Sequence, residues 1–236
     1  MMRQKFGVAL SVMAITLLAG CSSNGGGGGI MFRAIKDTLF SGGGDEEVTQ
    51  PAGTPTSGGL TRARIEETGL ALIRANIDGD SATNVLSATS LNGSYVTYVS
   101  AFQQTISMKG TLITATRGLG SDLLSVADAP NDPIANMTPV ANWPSQYERS
   151  YRFTGTGPAG TVITVQCSLA PQAPMQVTIV EVTYDVTPFV ESCQGDGVSF
   201  NNVHLADKDG QIWQSRQWVG EGLGILNIEV LEPLTL

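Results

Sequence analysis

Apolar and polar positions alternate in short runs from about residue 70 to the C-terminus. Leu70–Ile77, Val85–Thr89, Ser94–Val99, Ile106–Thr116, Gln146–Thr154, Thr161–Leu169, Gln176–Thr183, Val198–Leu205, Gln211–Val219 and Ile225–Leu231 each read as a β-strand. Gln176–Thr183 is the richest in β-branched residues, which suit a pleated, half-buried surface. Turn residues punctuate the pattern at Asp78-Gly79-Asp80, Asn92-Gly93 and Asp207-Lys208-Asp209-Gly210. Lys109-Gly110 marks a bulge or tight bend within its run. Ala127–Pro144 carries Pro130, Pro133, Pro139 and Pro144 and reads as a long irregular connection. Thr61–Arg74 is the helical candidate inside the domain. Gly69 weakens its second half, and its tail overlaps the first strand, so one of the two readings must yield. The chain shows no fixed-period repeat. About ten strands at near-regular spacing predict an all-β domain, an antiparallel β-barrel-like or sandwich fold.

The front of the chain is different. Arg3 and Lys5 precede an apolar stretch, Phe6 to Leu18, which ends in Leu18-Ala19-Gly20-Cys21. Length and flanks make residues 1–20 a secretory signal, and the box before the cysteine resembles a bacterial lipoprotein signal. That resemblance implies cleavage before Cys21 and its lipidation. More than one acyl chain on Cys21 gives stable membrane anchoring. Ser22, rather than Asp, implies sorting to the outer membrane, with the domain facing the periplasm. Residues 21–59 then hold a five-glycine tether, a short amphipathic segment Ile30–Phe40, and a Gly/Pro/Thr-rich acidic linker. The segment's spacing suits one or two helical turns that pack on the domain or lie on the lipid surface; packing is the expectation. The folded domain is expected over 60–236.

Composition sharpens this picture mainly by exclusion. The chain has 236 residues, 42% hydrophobic and 14% charged, with a net charge of −8. An acidic chain with 13 basic residues lacks the clustered Lys/Arg that nucleic acid requires. Losing residues 1–20 removes Arg3 and Lys5 and makes it more acidic still. His204 is the single histidine, so one residue would have to serve any triad or zinc site. It reads as structural. Asp207-x-Asp209-Gly210 resembles the start of a calcium loop, but Trp218 stands where the closing Glu is needed. No metal or other cofactor is expected. Paired carboxylates cleave glycosidic bonds, yet Asp122, Asp128, Asp132, Glu181, Asp185 and Glu221 are equally eligible and none stands out.

With Cys21 assigned to lipid, Cys167 and Cys193 remain, 26 positions apart. In an oxidising compartment a disulfide is expected; two buried thiols are the alternative. Trp213 and Trp218 are five apart and face opposite sides of a regular strand, so one of them is expected to face solvent, where indole faces can stack on sugar rings.

Two long stretches carry a further likeness. Gly110-Thr-Leu-Ile-Thr-Ala-Thr-Arg-Gly-Leu-Gly120 precedes Asp122-Leu123-Leu124. Later come Ile212-Trp-Gln-Ser-Arg-Gln-Trp-Val-Gly220, Gly222-Leu-Gly224 and Ile228-Glu-Val-Leu231. Together with the lipoprotein signal they resemble the YjbF family of lipoproteins, over about Leu60 to Pro233. The resemblance implies an antiparallel barrel-like domain and a role in exopolysaccharide or capsule production. It supplies no catalytic residue. Arg117 and Arg216 lie in these stretches. They suit contact with acidic polysaccharide or anchoring of a buried carboxylate, the structural role being favoured. The expected function is therefore a non-enzymatic lipoprotein that binds glycan or export-machinery proteins, with Arg117, Arg216, Trp213 and Trp218 as candidate contacts. A periplasmic polysaccharide-modifying enzyme and a general envelope scaffold are the alternatives.

Overall fold

The computed structural model describes residues 59–155 and 160–235. The signal, Cys21, the glycine tether and the Ile30–Phe40 segment lie outside the described residues. Gly69 settles the overlap between helix and strand. Helix α1 (Arg62–Thr68) starts where the Thr61 hydroxyl accepts from Arg64 N at 3.3 Å, and ends where Gly69 turns left-handed at φ 61°. Strand β1 (Leu72–Ile77) takes the residues beyond it. The helical reading of Thr61–Arg74 therefore yields beyond the glycine, and the strand reading holds there.

Twelve further strands follow: β2 (Asn84–Asn92), β3 (Tyr95–Ser100), β4 (Thr105–Lys109), β5 (Leu112–Arg117), β6 (Leu123–Asp128), β7 (Tyr147–Phe153), β8 (Thr161–Pro171), β9 (Met175–Ile179), β10 (Val182–Gly195), β11 (Val198–Ala206), β12 (Ile212–Trp218) and β13 (Ile225–Glu232). The expected count of about ten is low for three physical reasons. Ile106–Thr116 is two strands, because Gly110, at φ 55°, reverses the chain rather than bulging it. Gln176–Thr183 is a hairpin: Val180 and Glu181 take φ 41° and 70°, and β10 runs back from Val182. β6 is the third, a short strand broken by a register shift between Leu123 and Ser125.

All strands pair antiparallel, in one 13-stranded sheet ordered β5-β4-β3-β2-β1-β13-β12-β11-β10-β8-β7-β6, with β9 added to β10. The first and last strands are neighbours: Ile73 pairs Val230 and Ile77 pairs Leu226. The sheet curls into a nearly closed barrel rather than a sandwich. Its interior is packed by alternate residues such as Ile73, Leu86, Tyr98, Ile106, Val165, Leu226 and Ile228. A second, smaller core lies outside the sheet, where Ile65 of α1 meets Leu72, Ile179 and Leu231.

The Pro-rich connection is more ordered than expected. Asp132 caps a single helical turn, α2 (Pro133–Asn136), whose Pro133, Ile134 and Ala135 are buried. Thr111 N donates to Ile134 O at 3.2 Å. A Cβ on Gly110 would stand 2.7 Å from Ala135 O, so this turn against α2 requires glycine.

The ring of backbone pairing is interrupted between β5 and β6, and side chains bridge the gap. Leu123 N donates to Thr116 Oγ1 at 3.0 Å, and the Arg117 guanidinium donates to Leu123 O at 2.9 Å and Leu124 O at 3.2 Å. Lys109 pairs with Asp128 at 2.6 Å. From across the interior, the Gln217 amide accepts from Ile113 N at 3.0 Å and donates to Thr111 O at 2.8 Å. That is the pattern a neighbouring strand would offer, supplied by one side chain.

Candidate functional site

The outer face of β1, β13, β12 and β11 holds a groove of about 320 Å³. That is at the small end of ligand-binding pockets. Strand alternation builds it: Leu226, Ile228 and Val230 point into the barrel, so Asn227 and Glu229 point out beside Arg74 and Asn76 of β1. From β12 come Gln214 and Arg216, and from β11 Val203 and Leu205, which supply an apolar strip.

These polar groups hold one another in place. Arg74 donates to Glu229 at 2.6 Å, and Gln214 Nε2 donates to the other Glu229 oxygen at 3.0 Å. Arg216 donates to Asp78 at 2.7 Å and to Asn227 Oδ1 at 3.2 Å, and Asn227 Nδ2 donates to Asp78 at 3.2 Å. The Asn227 hydrogen bond, then the Arg216 contacts, hold the Asp78 carboxyl below its ordinary range. Both acids are engaged by cationic or amide partners. The groove offers guanidinium, amide and carboxylate groups in fixed orientation above aliphatic surface, an arrangement that can hydrogen-bond a polyhydroxylated ligand.

A cluster of ionisable side chains lies elsewhere, sealed inside the barrel. Arg149, Asp132, Glu191 and His204 are each 0% exposed. Arg149 donates to both oxygens of Asp132, at 2.8 and 3.1 Å, and pairs with Glu191 at 2.9 Å. Tyr147 and Asn202 donate to Glu191, and His204 Nε2 lies 3.2 Å from it. Burial alone would raise the Glu191 carboxyl; the Arg149 charge and the contacts from His204 and Tyr147 reverse this and hold it well below the carboxylate range. Burial pushes the Tyr151 phenol up to about 12.

A group with a depressed folded pKa contributes stability that is present above its unfolded pKa and lost as pH falls. For Glu191 the unfolded reference is about 4.3. Urea midpoints are therefore expected to hold level from pH 7 to about 5 and to fall steeply below about pH 4.5. Glu191→Gln should flatten that fall; an equally steep decline in this variant would assign the acid sensitivity to other groups.

The sequence-derived candidates separate on the structure. Arg216 lies in the groove. Arg117 does not; its guanidinium bridges β5 to β6. Trp213 stacks on Tyr184 at 3.7 Å between centroids and donates to Asp207 at 3.1 Å. Trp218 stacks on Phe200 at 4.2 Å within a cluster that includes Tyr151 and Phe153. Both indoles are half-buried, so the expectation of one solvent-facing Trp fails: each is covered by aromatic neighbours. Cys167 and Cys193 are directly opposed on β8 and β10, sulfurs at bonding distance (2.06 Å). His204 is part of the buried cluster. Arg74, Asn227 and Glu229 are the groove residues that sequence reasoning missed. Their signal was the polar phase of two alternating strands, without any sign that the two are neighbours.

The two long stretches that carried the family likeness meet in space. Gln217, from the second, closes the free edge of Thr111–Ile113, from the first. A Cβ on Gly222 would stand 2.5 Å from the Ser121 hydroxyl. They are marks of barrel closure, which accounts for their lack of chemistry.

Comparison with known proteins agrees. No curated protein matches the chain. Among solved structures, the hypothetical lipoprotein YmcC from Escherichia coli (K12) superposes with a TM-score of 0.64 at 15% identity, over 75% of this chain and 91% of that one, which establishes a shared fold. The pattern of the group 4 capsule polysaccharide lipoprotein family (gfcB, YjbF) matches residues 34–231, well over half of the 236-residue chain, and this protein belongs to that family.

Proposed function

We propose that this protein is a non-enzymatic lipoprotein of the outer membrane, anchored through Cys21 and facing the periplasm. It assists production or export of a capsule or exopolysaccharide by holding glycan on the outer face of β1, β13, β12 and β11. The observation that carries the reading is the groove itself: fixed polar side chains over an aliphatic strip, in a member of a family described by its capsule polysaccharide lipoprotein. At this groove, binding is favoured over cleavage by what its acids and those of the interior are doing. Glycoside hydrolysis needs two accessible carboxyl groups flanking the bond. Asp132 and Glu191 are sealed from solvent, and Glu229 and Asp78 are committed to Arg74 and Arg216.

Deleting the gene should lower surface polymer while leaving intracellular precursor intact. Unchanged surface polymer would overturn the role, and new reducing ends on polymer incubated with the protein would replace binding by cleavage. With the isolated polymer, Arg216→Ala and Asn227→Ala should each weaken binding about tenfold, corresponding to loss of one or two directed hydrogen bonds. Full-strength binding by both variants would move the glycan off this face.

A further inference from the structure

The barrel end where β1 begins and β13 finishes opens into a mostly apolar pocket of about 230 Å³. Its walls include the buried Ile73, Tyr98, Met108 and Val230. Its rim is unusual for a water-facing surface: Leu91, Met137 and Leu234 are 50%, 38% and 38% exposed, and Tyr95, at the adjoining β2–β3 turn, is 39% exposed. These are four of the seven large apolar side chains exposed among the described residues, gathered at one end. A contiguous apolar patch around a cavity marks an interaction site.

We propose that residues 30–40 of this same chain occupy the pocket. The path of the chain points there. Arg62, at the start of α1, donates to Leu231 O at 2.7 Å and pairs with Glu232. Pro233 and Leu234, which line the pocket, come directly after. The chain therefore enters the domain beside this opening. Residues 41–58 connect the segment to the first described residue, Gly59. At 3.3–3.6 Å per residue they span roughly 60 Å when extended, more than the ~40 Å breadth of a domain this size. The segment carries matching side chains, with Ile30, Met31, Phe32, Ile35, Leu39 and Phe40 among eleven residues. The family pattern begins at residue 34, inside this segment and well ahead of the described barrel. Tethering also gives the segment an effective concentration near the millimolar range at the pocket, ahead of any apolar group arriving from solution.

The test uses the mature lipidated chain in phosphatidylethanolamine–phosphatidylglycerol vesicles, with a benzophenone phenylalanine in place of Phe32 or Phe40. Irradiation should give crosslinks within the same chain, at Leu91–Val96, Met108, Met137 or Leu234. Crosslinks to phospholipid, to a second copy or elsewhere on the barrel, or none at all, would overturn the proposal. Independently, amide exchange at Leu91–Tyr95 and Asn136–Met137 should be at least fivefold faster in Ile35→Asp/Leu39→Asp than in the parent chain. Equal rates would also overturn it. Neither readout involves glycan, so the pocket and the groove stand or fall separately.

Discussion

Arg149→Ala is expected to destabilise the domain by about 3–5 kcal/mol, the usual cost of breaking a buried ion pair by removing one partner. Against a total of about 5–15 kcal/mol for a single domain, that is a third of the stability or more. The size follows from what the substitution leaves behind. Asp132 and Glu191 are both fully buried, and Arg149 contacts both. Without the guanidinium, two carboxylates share a buried interior with no strong base between them. The effect also reaches α2, because the same Asp132 carboxyl accepts from Ile134 N at 3.0 Å and Ala135 N at 3.3 Å. Urea unfolding at pH 7 with the disulfide intact measures the loss. A shift under about 1 kcal/mol would mean that water reaches the cluster, at odds with its burial.

Replacing Cys167 and Cys193 together by serine should cost about 3.5 kcal/mol in the chain-entropy treatment of a loop this long. The two residues are already held opposite each other by the β8–β10 ladder, Cα atoms 4.1 Å apart, so native geometry changes little. The loss arises in the unfolded chain, which gains the freedom of a 26-residue separation. Two buried hydroxyls then stand where a bridge was, and each needs a hydrogen-bond partner. Paired urea curves for parent and double variant give the difference. Mass spectrometry of the exported protein with and without reductant checks the bridge directly, and free thiols at both positions would remove the basis for the prediction.

Local signals in the sequence were reliable where one residue decides the backbone. Gly69 ends α1, and Asp207 organises its turn by accepting from Asp209 N and Gln211 N. They failed where ordinary residues do unusual things. Val180 and Glu181 carry no preference for positive φ, so their hairpin read as an unbroken strand. The groove was half legible. Arg216 stood out within a family-like stretch, but its partner Asp78 lies 138 positions away, and Arg74 meets Glu229 across 155. Such contacts exist because the first strand pairs with the last, and no local pattern announces that pairing. Burial of Arg149 was equally hidden: Tyr147-Glu148-Arg149-Ser150-Tyr151 alternates in the normal way, with a cation placed on the inward phase.

The pairing of β1 with β13 also fixes when the barrel can exist. Synthesis delivers β1 at the beginning of the domain and β13 at its very end. Until Ile225–Glu232 arrives, β1 has no partner on one side and β12 has none on the other, so both expose hydrogen-bonding edges. Neither half of the sheet can close early. The chain therefore passes through an open, edge-exposed stage until Ile225–Glu232 has paired on both sides, and shielding that stage falls to whatever accompanies the unfolded chain.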